Sequence, residues 1–564
     1  MNKKKAGIGA GIFFGVLILV LFVYLSIVKM PEKDTVTEED EPTTNDVFNP
    51  AADPDAEQVS FSDEREMNRQ LLQGQRILEE YEEDDYTFGD PFIMVDPYDV
   101  MPLSAIIMFE TEKPARIRVR VEGKDENTSI EHVYDKYETE HRIPVLGLYP
   151  DKKNTVQLDY ITEDGKGTGQ TEVTIKTDPL PDDFLQPELV EAHPEKMEDG
   201  LSFMIPTKKY MYAIDSNADV RWYSSLSVQL AFERLENGHI LFATQDEARG
   251  QYNQLLEMDM LGKIHHAYIV EIEGYEKSNI IHHDIIELPS GNLLATTHEP
   301  NGEYIRDQMI EIDRSTGETR RFINGRDLFP SEAYEEYTGK NADENDWFHQ
   351  NAIMFDNRSN SILISARSQD AILKTSYPDA DIEWILAAHE EWPASYDEYL
   401  LEPIGNVKFP AGQNAMKVLP TQDGNPDTMD VLLFDNNTVI TRGDKEISDT
   451  YSRAVQYRIN EVDKTVEEVW SYGEDRGKDF YSAIIGDAQY LFDTGNKFIT
   501  FGAIRNGDNM KSTIVEVTGD DPEVVFEVET PEFDQDESRY VYQSIRESLY
   551  PENTWDFFFE EKEE

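Results

Sequence analysis

Hydrophobic and polar side chains alternate with period two over much of the chain, which predicts short β-strands. Clear runs are Ile117–Val121, Thr155–Tyr160 and Val173–Ile175. Turn-forming pairs such as Glu122-Gly123 separate them. The pattern predicts a small β-sandwich over residues 91–178.

After Pro179-Leu180-Pro181 a unit of alternating strands and turns recurs six times, each copy often ending in an aromatic residue. The first copy covers 210–222, and the others begin at Gly238, Gly291, Ser361, Val431 and Lys497. Repeats of roughly 40–60 residues built only from short strands are typical of propeller blades, since each sheet needs a neighbour to bury its face. The fold class predicted is therefore all-β, with a six-bladed β-propeller over residues 181–545.

The N-terminus shows the opposite pattern, an uncharged stretch over residues 6–28 preceded by Lys3, Lys4 and Lys5. A helix of that length spans about 30 Å of hydrocarbon. We expect a transmembrane anchor with the bulk of the chain extracellular, because the lysines favour a cytoplasmic N-terminus. A cleaved signal peptide is the alternative. It is disfavoured by the length of the run and by the lack of a small-x-small site over residues 24–28.

Three further segments flank the predicted domains. Residues 29–60 form an acidic linker, and residues 546–564 form an acidic tail. Residues 61–90 predict a short helix capped by Ser62, with apolar positions at Met67, Leu71, Ile77, Leu78 and Tyr81.

Composition excludes several kinds of function. Acidic residues outnumber basic ones by 114 to 51, and a net charge of −63 repels nucleic acid. The chain has no cysteine, which excludes disulfides, thiolate metal sites and cysteine nucleophiles. Nucleotide-binding and metal-binding motifs are absent, so neither a metal nor another cofactor is expected. A homodimer is compatible with the sequence.

Candidate site residues stand where repeats three and four begin. His282 and His283 precede the third repeat, and His349 and Asn351 precede the fourth, followed by Arg367. Residues at the start of a blade's innermost strand point towards the central channel. Taken singly, each histidine is more simply a buried, hydrogen-bonded link between blades. Arginine binds tetrahedral oxyanions through paired donors, so the set together predicts a site for a sulfate or phosphate group.

These residues resemble the bacterial arylsulfotransferase family, and the similarity extends from about Pro91 onward. In the N-terminal domain it rests on Asp96–Ala105, Phe109–Thr111 and Gly147–Pro150. In the repeats it rests on His282-His283, Trp347–Asn351, Ser365–Arg367, Phe434–Asn436, Tyr451–Val455, Tyr472–Gly477 and Tyr481-Ser482. Tyr451–Arg453 and Tyr472–Gly477 are interpreted as mainly packing residues.

The resemblance implies transfer of a sulfuryl group from an aryl sulfate to a phenolic acceptor through a sulfo-histidine, without a nucleotide donor. Arg367 and His349 match the family's oxygen-binding positions, and the pair at 282–283 supplies another group. His283 is preferred over His282 as the one that faces the channel. Asn351 and Asn436 are predicted to bind substrate.

The sequence departs from the family pattern at the nucleophile. The family has a histidine in a Gln-His-small segment, where this chain has Gln413-Asn414-Ala415. An amide nitrogen is a very poor nucleophile, although it still donates hydrogen bonds. Three hypotheses follow: binding without turnover, attack by another histidine such as one of the 282–283 pair, or direct transfer between donor and acceptor.

Two rival functions come from other classes. One is a catalytically inactive surface scaffold that binds sulfated aromatics or a protein partner. The other is a quinone-cofactor propeller enzyme, which would need a calcium site of convergent carboxylates. No such spacing is present in the sequence.

Overall fold

The structure is a computed structural model that describes residues 58–246, 251–272, 281–298, 304–342 and 345–550. The described part of the chain is all-β, with few helices, and this confirms the predicted class. The anchor predicted over residues 6–28 and nearly all of the 29–60 linker lie outside these ranges. No helix among the described residues combines the length and apolar character of a membrane span.

The N-terminal domain is built around one long strand. Its strands are β2 (Phe92–Val95), β3 (Ser104–Val121), β4 (Ile130–Leu146), β5 (Lys153–Thr162) and β6 (Thr168–Lys176). The first part of β3 pairs with β2 and β4, and the last part pairs with β4 and β5. A register shift between Glu110 and Ala115 separates the two parts of β3, so one strand serves two sets of neighbours.

Six further sheets follow in the described residues, and each predicted repeat falls within one of them. The first contains β8 (Leu201–Pro206), β9 (Tyr210–Ile214) and β10 (Val220–Ser227), completed by β33 (Val541–Glu547). The second contains β11 (Phe232–Arg234), β12 (Ile240–Asp246), β13 (Gln251–Met258) and β14 (Ile264–Ile272), with β1 (Gln58–Ser62) at its outer edge. The third contains β15 (Ile281–Glu287), β16 (Leu293–Thr297), β17 (Gln308–Ile312) and β18 (Thr319–Asn324).

The remaining three sheets have the same hairpin-connected order. The fourth contains β19 (Gln350–Asp356), β20 (Ser361–Ala366), β21 (Ala371–Ser376) and β22 (Ile382–Ala387). The fifth contains β24 (Asn414–Leu419), β25 (Thr428–Asp435), β26 (Arg453–Asn460) and β27 (Thr465–Tyr472), with β23 (Glu402–Pro403) outside. The sixth contains β28 (Gly486–Tyr490), β29 (Lys497–Asn506), β30 (Asn509–Val517) and β31 (Val524–Glu529), joined by β7 (Glu188–Ala192) and β32 (Phe533–Asp534).

The first strands of successive sheets are neighbours. Strand β11 contacts β15, β15 contacts β19, β19 contacts β24, β24 contacts β28, and β28 contacts β33. Side chains from the beginnings of these strands are thereby brought towards one another. Strand β33 lies beside β8, antiparallel to it, so a strand more than 300 residues later in the chain completes the first sheet.

Two helices are described, α1 (Glu64–Tyr81) and α2 (Glu332–Glu335). The predicted cap Ser62 is wrong. It belongs to β1, and Asp63 caps α1 by accepting from the backbone N–H groups of Arg65 and Glu66. A carboxylate has enough acceptor sites to serve both donors.

Two predicted segment boundaries also move. The linker predicted to end at residue 60 already includes the start of β1, which pairs with β14. The tail predicted from residue 546 is not wholly a tail, since β33 continues to Glu547 and both Leu549 and Tyr550 are buried.

A buried arginine joins the N-terminal domain to the first sheet. Arg221 is fully buried, and its guanidinium donates to the carbonyl oxygen of Gly147 from Nε at 2.9 Å and from Nη2 at 2.7 Å. Its Nη1 donates to Asp215 Oδ2 at 3.0 Å and also to the Thr128 carbonyl. Every nitrogen of this guanidinium therefore has a protein acceptor, which satisfies a charge removed from water.

Candidate active site

Three of the inner strands begin with an irregularity at the same relative place. Register shifts occur between Ile281 and Ile285 in β15, after Gln350 in β19 and after Asn414 in β24. Nearby residues take left-handed backbone conformations, with φ of 49° at His283, 50° at His349 and 44° at Ala415. Such bulges redirect side chains and are common beside functional sites, where the strain is offset by the surrounding structure.

Four histidines form a continuous cluster here, three of them at or beside these strand starts and His298 directly after the end of β16. The ring of His282 lies 4.7 Å from that of His298 and 4.9 Å from that of His283, which in turn lies 4.9 Å from the ring of His349. The Nδ1 atoms of His282 and His283 are 2.8 Å apart, so one ring donates to the other. Burial lowers the pKa of both well below the ordinary value, and the neighbouring histidines lower it further. Both rings are therefore neutral at physiological pH.

His349 is paired with a buried carboxylate. Its Nδ1 lies 2.5 Å from Oδ2 of Asp346, and the same oxygen accepts from Nη1 of Arg306 at 2.6 Å. Burial would raise the pKa of Asp346, but His349 and Arg306 outweigh it and lower that pKa below its ordinary value. Burial lowers the pKa of His349 to about 4, with Asp346 opposing the change.

Three predicted site residues donate to consecutive carbonyls of one loop. Nη2 of Arg367 donates to Ala483 at 3.2 Å, Nδ2 of Asn414 to Ile484 at 2.7 Å and Nδ2 of Asn436 to Ser482 at 2.7 Å. Asn436 is fully buried behind this loop. Among the described residues, Nε and Nη1 of Arg367 make no hydrogen bond. Arg367 thus keeps donors available, whereas Asn436 holds the loop.

One cavity is lined by residues from the first strands of five of these sheets. His283, Asn351, Asn414 and Tyr542 all contribute to its wall. The amide of Asn351 donates to the Gln413 carbonyl at 2.8 Å, and the Tyr542 ring lies 6.3 Å from that of His283. His283, rather than the adjacent His282, is the member of the pair in this wall.

A second charged group adjoins the same cavity. Lys417 and the carboxylates Asp284 and Asp487 line it, and Glu233 also acts on Lys417. Burial raises the pKa of Glu233 to about 7 and of Asp284 to about 6. Burial alone would lower the pKa of Lys417, but these carboxylates outweigh it and raise that pKa. The lysine therefore stays charged, and the carboxylates balance it. Within the described ranges no group of three or more His, Asp or Glu could hold a metal ion.

The structure brings together most, but not all, of the site residues that the sequence predicts. His282, His283, His349, Asn351 and Asn414 come together, and Arg367 is close enough to act electrostatically on both His283 and His349. Asn436 reaches the site only through the loop. Sequence reasoning missed His298, Arg306, Asp346 and Tyr542. Asp346 could have been considered, because a carboxylate often orients a functional histidine by accepting from its ring N–H.

The two segments interpreted as packing residues, Tyr451–Arg453 and Tyr472–Gly477, contain arginines that form ion pairs. Arg453 is 1% exposed, and its guanidinium contacts Asp435 at 3.1 Å and Glu468 at 2.8 Å. Arg476 pairs with Glu527 at 3.0 Å and lies over the Phe480 ring. Neither arginine lines the cavity.

Family models match nearly the whole described region. The model described as arylsulfotransferase (ASST) matches residues 187–543, and the model described as arylsulfotransferase Ig-like domain matches residues 92–178. An all-β chain with this cluster of imidazoles and guanidinium groups therefore belongs to the arylsulfotransferase family, which is a family of transferases. The predicted family is confirmed, and the N-terminal domain is its Ig-like domain.

Two curated relatives carry the name arylsulfate sulfotransferase AssT. The protein from Lelliottia amnigena is 25% identical over 524 residues, covering 73% of this chain and 85% of the relative. The protein from Escherichia coli O6:H1 is 22% identical over 530 residues, covering 75% of this chain and 86% of the relative. A solved periplasmic gluconolactonase from Pseudomonas aeruginosa covers 77% of this chain and 97% of its own, with 10% identity and a TM-score of 0.29.

Proposed function

We propose that this protein transfers a sulfuryl group from an aryl sulfate to a phenolic acceptor, without a nucleotide donor. The observation that carries the proposal is the convergence of His283, Asn351 and Asn414 on one cavity, with His349 and Arg367 beside them. Membership of the arylsulfotransferase family supports the same conclusion.

The charges of the site fit this chemistry. Sulfuryl transfer resembles phosphoryl transfer, where a loose transition state spreads negative charge over three equatorial oxygens. Preorganised donors in a water-poor cavity stabilise that charge strongly. Arg367 has unused donors here, and the Asn351 and Asn414 amides lie in the cavity wall.

Asn414 shapes the route that the sulfuryl group takes. Its Nδ2 already donates to Ile484, and its Oδ1 accepts from the Ala415 amide at 3.2 Å. Both side-chain polar atoms are therefore engaged, and the amide serves as a donor rather than as a nucleophile. The sulfuryl group then moves either through another histidine, such as His283, or directly from donor to acceptor.

The proposed architecture is a six-bladed propeller. The supporting observations are the six sheets, the contacts between their successive first strands and the completion of the first sheet by β33. The proposed location is the outer face of a cell membrane, with residues 6–28 as the anchor, and it rests on the sequence alone. Homodimerisation stays a prediction.

The test compares the full-length protein with three variants, using a chromogenic aryl sulfate and a phenol acceptor. Transfer by the wild type that is lost in His349→Ala and Arg367→Ala supports the proposed enzyme. Transfer that appears only in Asn414→His indicates a site that has lost its nucleophile. If no variant turns over and none binds aryl sulfate, the protein is not a sulfotransferase and the scaffold alternative gains support.

A further inference from the structure

The contacts of Asp346 determine which nitrogen of His349 carries the proton. Asp346 is 1% exposed and ionised, and its Oδ2 lies 2.5 Å from Nδ1 of His349. A carboxylate only accepts hydrogen bonds, so Nδ1 must be the protonated nitrogen. Nη1 of Arg306 also lies 3.3 Å from Nδ1 of His349. It donates at the much shorter distance of 2.6 Å to Oδ2 of Asp346, so the carboxylate at 2.5 Å remains the closer partner of Nδ1. Neutral His349 therefore has a free lone pair on Nε2.

His349 lies where that lone pair can be used. Its ring is 4.9 Å from that of His283, which lines the cavity, and its side chain keeps 12% exposure. The amide of Arg367 donates to the backbone oxygen of His349 at 3.1 Å, which ties the two residues together. The charged groups acting on the ring are Asp346, Arg306 and Arg367. None of these can accept a proton from a phenol at neutral pH, because the two arginines have only donors and Asp346 is held ionised by the Arg306 cation and the His349 ring N–H.

We propose that Asp346, supported by Arg306, is a positioning residue that holds His349 as the Nδ1–H tautomer, so that Nε2 takes the proton of the acceptor phenol. This inference rests on the proposed sulfotransferase function. The phenol O–H bond breaks and its proton moves to Nε2, while the phenol oxygen's electron pair forms the new O–S bond. The bond from sulfur to its leaving atom breaks, and that electron pair departs with the leaving atom. When the leaving atom is the donor's phenolate oxygen, it takes the proton back from Nε2.

Acceptors of different acidity test this role in the full-length protein. A weakly acidic phenol needs a base, whereas a nitrophenol that is already ionised does not. Asp346→Asn should therefore lower transfer to the weakly acidic phenol by roughly 10²-fold, with the loss shrinking as the acceptor becomes more acidic. Asp346→Glu, which keeps the carboxylate, should restore part of the rate.

The matched control is Asp215→Asn, which also removes the charge of a buried aspartate paired with an arginine, at 3.0 Å, away from the cavity. It should leave the dependence on acceptor acidity unchanged. Equal losses for all acceptors in Asp346→Asn would assign Asp346 a structural role and overturn the proposal.

A spectroscopic measurement identifies the tautomer of His349 and does not depend on enzyme activity. In wild-type protein with ¹⁵N-labelled histidine, His349, assigned by comparison with His349→Gln, should show a protonated Nδ1 and an unprotonated Nε2 at neutral pH. The opposite pattern overturns the inference even if Asp346→Asn fails to fold. If the wild type transfers nothing to any acceptor, the proposed function fails, and the tautomer signal alone then decides the positioning by Asp346.

Discussion

Two arginines, the buried Arg221 and the half-buried Arg367, show how the same side chain serves two purposes. Arg221 joins the Ig-like domain to the first sheet, and all its guanidinium nitrogens donate to protein oxygens. Arg367 lies beside the cavity and uses one nitrogen, towards Ala483. A saturated guanidinium holds two parts of a fold together, whereas an unsaturated one beside a cavity keeps donors for a ligand.

The largest effect on stability is expected from replacing Arg221, whose guanidinium nitrogens all donate hydrogen bonds to the protein. Arg221→Met should lower the free energy of unfolding by about 3–5 kcal/mol, because it leaves the buried Asp215 carboxylate without its cation. Denaturant titration measures the loss. Transfer per folded molecule should stay at the wild-type level. A parallel loss of transfer would show that the domain interface and the cavity are coupled.

Arg367→Ala should show the reverse behaviour. Removing one preorganised donor costs on the order of 10²-fold in kcat/KM, and the single bond to Ala483 contributes ~1 kcal/mol to stability. Steady-state kinetics with a chromogenic aryl sulfate, paired with a melting curve, measures both. A variant that loses several kcal/mol of stability while keeping its rate would place Arg367 with Arg221 as a structural residue.

A smaller effect is expected at Asn436, which resembles Arg221 in being structural although it lies near the cavity. Asn436→Ala should cost about 1–2 kcal/mol, because its bond to the Ser482 carbonyl is lost and only the Ser452 hydroxyl still donates to that oxygen. Hydrogen exchange in residues 482–485 should accelerate more than in β8. Unchanged protection of that loop would contradict the role given to Asn436.

The smallest effect concerns pH in the Ig-like domain. Burial lowers the pKa of His132 from 6.5 to about 4, so the native state keeps the ring neutral while the unfolded chain protonates it. Stability from this residue is therefore complete above pH 6.5 and declines as the pH falls towards 4. His132→Gln should reduce the difference in unfolding free energy between pH 7 and pH 5 by ~1 kcal/mol. The control is His193→Gln, an exposed histidine, and an equal change there would contradict the assignment.

Local patterns predicted the strands well, because alternation and turn residues act over a few positions. The run Ile117–Val121 lies in β3 and Thr155–Tyr160 lies in β5, as the period indicates. The helix cap was missed by one residue, since Ser62 and Asp63 are both good caps and only β1 pairing decides between them.

The candidate site could be predicted only where motif and geometry coincide. His283, Asn351 and Asn414 each stand at the start of an inner strand, so sequence position alone brings them to the cavity. Arg306 lies 40 residues from its partner Asp346, and no spacing rule connects them. Tyr542 reaches the cavity because β33 returns to the first sheet, which depends on the whole fold.

The pairing of β33 with β8 also means that the first sheet can be completed only late in synthesis of the chain. Strand β8 emerges from the ribosome hundreds of residues before its partner, so its edge stays unpaired until residues 541–547 have been added. Tyr542 arrives on that same strand, the last in sequence among the described residues, so it is the last of the described cavity residues but one to be made. A chain interrupted before residue 541 would consequently expose an open sheet edge and lack one side of the cavity wall at the same time.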